Sequence, residues 1–343
     1  MTPTKNNTPV FAAGETDAVI AYADTEIPVM AKRLGLEGDD VDTLHILFMD
    51  ALRVNAARMA ECLEAPYVEA VPESRRLFDI LGQMMINNVD TEGLENLAAA
   101  IEFMKQGGNV LLISNHTSGA DTLVLDTVVN KEFDGVARDW IYMAGHVVNY
   151  FLLPLAIAGG VNRVQIFSAK YCAQAGPDAL QRMKENNAQA MMAIGPKVMA
   201  GGRCIVLYPE GGRGENGKML EGEPRTMKIP QLMDMVSPHG LMILPSYVEA
   251  TDIMPVKRGE NEFNEFLAHG QRGNATLRFG PGRMWNSLQP TRAEVTEYLT
   301  SNRLKCSNDA SFALKQCLLL KCMKMIASLA KTQTTTNEEL EVA

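Results

Sequence analysis

A histidine and an aspartate with a suggestive spacing follow one of the apolar runs of this chain. The run NVLLIS at 109–114 leads into His116, and Asp121 lies five residues further on. A histidine base is effective when a carboxylate holds one ring nitrogen and stabilises the charged ring. The spacing therefore predicts that Asp121 orients His116 as a general base. The structural alternative, which remains open at this point, is that His116 caps a helix and Asp121 offsets the helix dipole.

A second polar segment, YPEGGRG at 208–214, also follows an apolar run. Glycine has no Cβ, so the backbone at Gly211 and Gly212 can approach an anion closely, and the planar guanidinium of Arg213 suits a phosphate. These residues predict a phosphate site. A glycine turn beside a surface arginine is the alternative for the segment taken alone. Glu210 is a candidate cleft residue, or a support that holds Arg213.

The same segment also permits a competing interpretation as a nucleotide-binding loop. Gly212, Gly217 and Lys218 fit the spacing G-x-x-x-x-G-K of a P-loop. Met219 stands where such a loop needs Ser or Thr to hold magnesium, and Glu215 would add a carboxylate among the anion-binding amides. The P-loop-like nucleotide-binding protein is therefore the disfavoured alternative of a different class.

Apolar runs alternate with helical stretches and predict the elements that position these residues. Candidate strands lie at 109–114, 140–144, 163–169, 204–209, 241–250 and 275–279. This alternation is typical of an α/β fold, with a mixed sheet flanked by helices. Ligands of such sheets bind outside the carboxyl ends of the strands, where helices begin. We therefore expect both polar segments at one sheet edge, with amides after Thr117 as candidates for stabilising an oxyanion.

The remaining chain predicts three regions. Residues 1–75 form a small N-terminal helical bundle domain, with a long helix across 39–65 that ends before Pro66. Residues 76–331 form the α/β catalytic domain, and residues 332–343 a disordered tail. Near its end, FALKQCLLLKCMKMIASLAK at 312–331 combines lysines with apolar residues. We predict a packed terminal helix there; the alternative is a helix lying on an anionic membrane.

The amino-acid composition limits the classes of function that are compatible with this chain. The chain has 343 residues, 46% of them hydrophobic, and a formal net charge of -9, which argues against nucleic acid as a partner. The six cysteines include no C-x-x-C pair, and neither an H-E-x-x-H motif nor a G-x-S-x-G elbow occurs. We therefore predict a reducing, cytoplasmic location, no metal, no cofactor and no acyl-enzyme. The longest apolar run, at 150–161, is shorter than the ~20 residues that a membrane span requires.

NHTSGAD and YPEGGRG together resemble the N-H-x4-D and E-G-x-R motifs of the glycerolipid acyltransferases. Three further stretches resemble more narrowly the soluble, plastid-type glycerol-3-phosphate acyltransferases: the region 82–116, the region 141–171, and SYVEATDIMP at 246–255. The resemblance extends over residues from about 60 to 290. It implies a helical bundle beside a larger α/β domain whose cleft lies at the sheet edge.

The resemblance also implies roles for individual residues. His116 becomes the general base and Asp121 its orienting partner, while Lys170 and Arg213 become phosphate ligands. Tyr171 takes the place of a family histidine and joins Gly211 and Gly212 in the predicted phosphate site, with Asn115 and Glu210 in supporting positions. The chain departs from the plastid-type pattern at Tyr171 and at Glu215, where the family has a second arginine. Candidate replacements for that arginine are Arg163, Lys218 and Arg225. The YPEGGR segment is closer to bacterial membrane-bound members.

The implied function is transfer of a fatty acyl group to the sn-1 hydroxyl of glycerol-3-phosphate, with acyl carrier protein or coenzyme A as the donor's carrier. The product is lysophosphatidate, at the first step of phospholipid synthesis. The alternative is a 1-acylglycerol-3-phosphate acyltransferase, because both acceptors present a hydroxyl near a phosphate. A water-soluble acceptor agrees better with a chain that has no predicted membrane span, although peripheral membrane contact is compatible with it.

Overall fold

The computed structural model describes residues 16–167, 172, 175–210, 213, 228–255, 265–301 and 310–330. In this part of the chain nine strands form one mixed sheet. The strands are β1 Tyr67–Val68, β2 Ile86–Glu92, β3 Asn109–Ser114, β4 Ile141–Gly145, β5 Asn162–Ile166, β6 Cys204–Leu207, β7 Leu241–Glu249, β8 Gly273–Phe279 and β9 Arg283–Met284. Their order across the sheet is β1-β5-β4-β6-β3-β7-β8-β2, and β9 pairs with β7.

Five neighbouring strands of this sheet run parallel. β5, β4, β6, β3 and β7 are parallel to one another, whereas β1 is antiparallel to β5 and β8 is antiparallel to β7. β2 completes the far edge, parallel to β8. The predicted mixed α/β sheet is therefore confirmed. These parallel strands bring the carboxyl ends of β3 and β6 side by side. The two polar segments, which follow β3 and β6, therefore begin at the same edge of the sheet.

Eleven helices are described around the sheet. They are α1 Thr16–Arg33, α2 Asp39–Glu64, α3 Pro72–Met85, α4 Leu94–Lys105, α5 Asp121–Glu132, α6 Leu152–Ala158, α7 Pro177–Met199, α8 Lys228–Val236, α9 Glu265–His269, α10 Arg292–Ser301 and α11 Ala310–Ala330. Short 3-10 helices lie at Val136–Asp139, His146–Asn149 and Trp285–Leu288. Local sequence explains several ends: α4, for example, stops before Gly107, whose φ of 91° suits glycine.

Both faces of the sheet are covered, which explains the continuously apolar central strands. Along β3, Val110 and Leu112 face a core shared with the helices of the N-terminal half, whereas Leu111 and Ile113 face a core shared with α7 and α11. Successive side chains of a strand point to opposite faces, so a single run such as NVLLIS contributes to both cores. All six residues of β3 are buried.

The terminal helix α11 belongs to the second of these cores. Leu318, Leu319 and Ile326 are buried in it, and the helix packs against β7 and β3. Lys321 forms a 3.0 Å ion pair with Glu294 of α10. The predicted packed terminal helix is therefore confirmed. Within the described residues, no helix is both long and apolar enough to cross a membrane.

The N-terminal helices share the core of the sheet. Ala23 of α1 and Phe48 of α2 lie in the same buried cluster as Leu112 of β3. The proposed division at residue 75 falls inside α3, and it stays a prediction, as does the tail at 332–343, which lies outside the described residues.

α3 is also bonded to α5, the helix that carries Asp121. Arg75 of α3 forms ion pairs with Asp79 and with the fully buried Asp126 of α5. Asp126 accepts further hydrogen bonds from Asn130 at 2.7 Å and from the Tyr142 hydroxyl at 3.1 Å. These hydrogen-bond donors stabilise the charge of a carboxylate that is buried away from water. The network therefore fixes α5 against its neighbours and, with it, the position of Asp121.

Candidate active site

The His116–Asp121 pair lies between the carboxyl end of β3 and the amino end of α5. β3 ends at Ser114 and α5 begins at Asp121, so the six intervening residues form the loop 115–120. His116 Nδ1 lies 3.0 Å from Asp121 Oδ2. The Asp121 side chain is fully buried, whereas that of His116 is 24% exposed. The predicted pair is therefore present in space, with the carboxylate inside the protein and the imidazole at its surface.

One oxygen of the Asp121 carboxylate collects three donors. Besides the His116 ring, Oδ2 accepts the backbone N–H groups of Thr117 at 2.7 Å and Ser118 at 2.9 Å. Burial raises the pKa of Asp121, while the hydrogen bonds from His116 and the two amides oppose that rise. The first turn of a helix also favours a negative charge. These donors make the buried position tolerable for an ionised carboxylate.

This geometry decides which nitrogen of His116 is available for chemistry. Because a carboxylate only accepts hydrogen bonds, the contact at 3.0 Å requires the proton on Nδ1. The other ring nitrogen, Nε2, then carries a lone pair in the neutral ring. The arrangement can accept a proton at Nε2, and Asp121 stabilises the imidazolium that results.

The amides of the loop are already engaged. Thr117 and Ser118 donate to Asp121, and the N–H of Ala120 donates to Ser118 Oγ at 3.1 Å. Among the amides after Thr117 that were candidates for stabilising an oxyanion, those of Ser118 and Ala120 are therefore engaged by side chains within the loop. The amides of Thr117 and Ser118 hold the carboxylate.

Two side chains attach the loop to the end of β7. Asn115 donates to the Val248 carbonyl at 2.7 Å and accepts the Val248 N–H at 2.8 Å, in the manner of an added rung of the sheet. Ser118 Oγ lies 3.1 Å from the carbonyl of Ala250 and 2.9 Å from that of Met254. Asn115, predicted as a supporting residue, therefore holds the loop to β7 through these two bonds, and its role in the chemistry stays a prediction.

On the other side of the loop, the end of β6 supplies three residues. The Tyr208 ring stacks on the His116 ring with 4.5 Å between centroids and 25° between planes. Glu210 is buried, and its Oε1 accepts the backbone N–H of His116 at 3.4 Å. Arg213 reaches the loop at Gly119, where an added Cβ would lie 3.1 Å from Arg213 Nη1. The structure therefore brings a guanidinium to the same loop as His116.

The predicted site residues divide into two groups. Asn115, His116, Asp121, Glu210 and Arg213 come together at the ends of β3 and β6. Those outside the described residues are Lys170, Tyr171, Gly211, Gly212, Gly217, Lys218, Met219 and Arg225.

Arg163 is not at this edge, and its candidacy as a replacement phosphate ligand was wrong. It is 1% exposed near the start of β5 and donates to Asn149 Oδ1 at 3.0 Å and to the Ala158 carbonyl at 3.0 Å. Its guanidinium is thus committed to internal acceptors, which explains how a charged side chain can be buried there.

Tyr208 and Ser118 are parts of the site that the motifs did not indicate. Tyr208 is buried beneath His116, and its hydroxyl lies 2.8 Å from Thr122 Oγ1. The available signal was its position directly before PEGGR, at the end of an apolar strand.

In the described part of the chain, no group of three or more His, Cys, Asp or Glu side chains could hold a metal ion.

Comparisons with known proteins show which families and structures this chain resembles. Residues 88–249, which include β3, β6 and both polar segments, match the family model described as Acyltransferase. "Glycerol-3-phosphate acyltransferase, chloroplastic" from Pisum sativum is 27% identical over 161 residues, which cover 45% of this chain and 35% of that protein. The protein of the same name from Spinacia oleracea is 30% identical over 112 residues, or 33% of this chain and 24% of that one. The chain thus matches about a third or less of the length of these relatives.

A solved structure also matches. The 1-acyl-sn-glycerophosphate (LPA) acyltransferase, PlsC, from Thermotoga maritima aligns with 84% of this chain and 99% of its own, at 15% identity and a TM-score of 0.38.

Proposed function

We propose that this chain, an acyltransferase of the glycerolipid acyltransferase superfamily, transfers a fatty acyl group to the sn-1 hydroxyl of glycerol-3-phosphate and so forms lysophosphatidate. The observation that carries the proposal is the 3.0 Å contact between His116 and the buried Asp121 at the end of β3, with Arg213 beside the same loop. The curated relatives named as glycerol-3-phosphate acyltransferases support this acceptor. The donor is an acyl thioester of acyl carrier protein or of coenzyme A.

In the proposed reaction, His116 Nε2 removes the proton of the acceptor hydroxyl as the oxygen attacks the thioester carbonyl. The C–O bond forms, the tetrahedral intermediate collapses, and the C–S bond breaks. The imidazolium then returns its proton to the departing thiolate, so His116 ends neutral. Asp121 stabilises the imidazolium through the Nδ1 contact. No covalent acyl-enzyme, metal or cofactor takes part in this proposal.

The proposed acceptor differs from a simple alcohol in its phosphate group. We assign the binding of this phosphate to Arg213 and Lys170. A guanidinium can form two parallel hydrogen bonds to a phosphate, and a lysine adds a point charge. Tyr171, Gly211 and Gly212 complete the proposed phosphate site, and Glu210 supports it through the backbone of His116. We place the reaction in the cytoplasm.

The test is an assay of the purified protein with both acceptors. Glycerol-3-phosphate and lysophosphatidate are each supplied with long-chain acyl-carrier-protein and coenzyme A thioesters, and the products are identified by mass spectrometry. We expect lysophosphatidate from glycerol-3-phosphate. Phosphatidate formed from lysophosphatidate, without turnover of glycerol-3-phosphate, would reassign the acceptor while leaving His116 as the base. Magnesium-dependent binding of ATP would instead support the nucleotide-binding alternative.

Two variants test the roles within the site. His116→Ala should lower kcat by at least about 10²-fold, the usual contribution of a general base, without loss of the fold. Arg213→Ala should raise KM for glycerol-3-phosphate far more than KM for the acyl donor, and Lys170→Ala should behave alike. Arg182→Ala, at an exposed position of α7, is the matched control and should change neither constant. Equal weakening of both substrates in Arg213→Ala would indicate a collapsed loop.

A further inference from the structure

Tyr208 contacts the proposed base, although no motif assigns it to the chemistry. Its ring lies parallel, within 25°, to that of His116, with centroids 4.5 Å apart. That separation is at the short end of the range for offset-stacked aromatic rings. Tyr208 itself is 8% exposed and belongs to the main hydrophobic core. The imidazole therefore lies between solvent on one side and a fixed aromatic ring on the other.

The Tyr208 ring is held in place at its far end. Its hydroxyl lies 2.8 Å from Thr122 Oγ1, and Thr122 follows Asp121 in the first turn of α5. The hydrogen bond therefore joins the end of β6 to the beginning of α5. Asp121 in the first turn of α5 holds the edge of the imidazole, and Tyr208, which is hydrogen-bonded to that turn, holds its face.

We propose that Tyr208 is a positioning residue, whose stacked ring keeps the His116 imidazole in the plane in which Nδ1 meets Asp121 and Nε2 faces the acceptor. This inference rests on the proposed function of His116 as the base. The ring turns about its Cβ–Cγ bond, and a single hydrogen bond at Nδ1 tolerates part of that rotation, whereas a ring stacked on its face limits it further. A ring beneath an imidazolium also attracts it, because an aromatic face carries negative charge density.

The proposal separates the ring of Tyr208 from its hydroxyl. Tyr208→Phe keeps the stacked ring and loses only the bond to Thr122, so kcat should fall less than about threefold. Tyr208→Leu removes the stack, and kcat should fall about tenfold, on the scale of a cation–π contact or of a misplaced catalytic group. KM for both substrates should be unchanged in both variants. Thr122→Val, which removes the same hydrogen bond from the other side, should match Tyr208→Phe.

Ring protons of His116 give a readout that does not depend on turnover. An aromatic ring at this distance shifts the proton resonances of its neighbour upfield, so the His116 signals should move downfield in Tyr208→Leu and stay in place in Tyr208→Phe. The chain has 5 histidines, and the His116 signals are identified by their absence from His116→Ala. If the wild-type protein turned over neither acceptor, the proposed function would fail, yet the spectra would still decide whether the stack exists.

The control for lost packing is Phe48→Leu, which shortens another buried aromatic side chain, on α2, in the same core. It should lower Tm and leave kcat unchanged. Should Tyr208→Leu fail to fold, Tyr208→Met fills more of the space with a flexible side chain and serves in its place. The proposal is overturned if Tyr208→Leu or Tyr208→Met retains wild-type kcat. It is also overturned if Tyr208→Phe is as slow as Tyr208→Leu, or if the His116 signals do not move when the ring is removed.

Discussion

Asp121→Asn removes a charge from the site while retaining most of its shape. In the wild-type protein Oδ2 accepts three hydrogen bonds, and the buried Oδ1 has no hydrogen-bond partner within the described residues. The amide oxygen of asparagine must take the Oδ2 position, because an NH2 group there would face three N–H donors. The NH2 group then occupies the Oδ1 position, where the carboxylate oxygen has no hydrogen-bond partner within the described residues, so we expect it to stay unsatisfied. His116 keeps its orientation and loses its anionic partner.

The expected effect on turnover follows from that lost charge. Hydrogen bonds to a charged group contribute about 1.5–3 kcal/mol, which corresponds to roughly 10-fold to 10²-fold in rate if it is lost as the imidazolium forms. This is smaller than the loss expected for His116→Ala, since the base itself remains. KM for either substrate should change little, because Asp121 is fully buried and makes no contact with solvent.

The effect on stability should have a distinct pH dependence. Because burial raises the pKa of Asp121, the folded protein holds that proton more readily than the unfolded chain, so the charged form costs folding free energy at neutral pH. Asparagine removes this cost and adds an unsatisfied NH2 group, worth about 1–3 kcal/mol. Relative to wild type, the variant should therefore be more stable at pH 7 than at about pH 4, where roughly half of the unfolded chains also hold the Asp121 proton.

The matched control is Asp24→Asn, at a second His–Asp contact within the described residues, where Asp24 Oδ1 lies 2.7 Å from His45 Nε2 on the exposed surface. It should leave kcat unchanged. Steady-state kinetics and thermal unfolding at pH 4 and pH 7 complete the test. Wild-type kcat in Asp121→Asn would refute the role of the carboxylate. A loss of kcat accompanied by a collapse of Tm at pH 7 would show that the residue acts through the fold alone.

Two further substitutions test close contacts of glycines, and a third tests the protonation of a buried histidine. Gly82→Ala would place a Cβ 2.1 Å from Thr127 Oγ1 and should cost about 1–3 kcal/mol in urea unfolding, with at least half regained when Thr127→Ala is added. Gly119→Ala should raise KM for glycerol-3-phosphate severalfold without affecting the acyl donor, because its Cβ would lie 3.1 Å from Arg213 Nη1; a similar rise for both substrates would contradict this. Burial lowers the pKa of His146 to about 4, so the unfolded chain takes up a proton there first and stability should decline as pH falls from about 6.5 to 4. His146→Phe should flatten that decline, as measured by Tm.

Much of the sheet could be predicted because its strands are apolar throughout. The six predicted strands appear as β3 to β8, most of them within about two residues of their expected ends. β2 was missed because INNVDTE at 86–92 is polar and largely exposed, and only its pairing with β8, almost 190 residues away, makes it a strand. β1 and β9 have two residues each and are too short to show a hydrophobic pattern in the sequence. Local propensity cannot reveal a strand that long-range pairing creates.

The candidate site was predictable only to the extent that its residues are neighbours in sequence. His116 and Asp121 share one loop, so their contact follows from a strand-to-helix turn. The stack of Tyr208 on His116 depends on β6 lying beside β3, which no periodicity in the chain indicates. Arg163 shows the converse error: a charged residue near a predicted strand was assigned to a ligand, although its partners are Asn149 and the Ala158 carbonyl.

His116 is therefore positioned by three adjacent strands, and each uses a different kind of contact. β3 delivers the loop, β7 holds its backbone through Asn115, and β6 places Tyr208 under the ring. The Asp121 carboxylate, which orients His116, accepts hydrogen bonds from two amides of the same loop. Because these contacts are short and mutually dependent, a small shift of either neighbouring strand should move His116, the proposed base, relative to Arg213, the proposed phosphate ligand. Substitutions in β6 or β7 that never touch a substrate should accordingly lower kcat more than they raise KM.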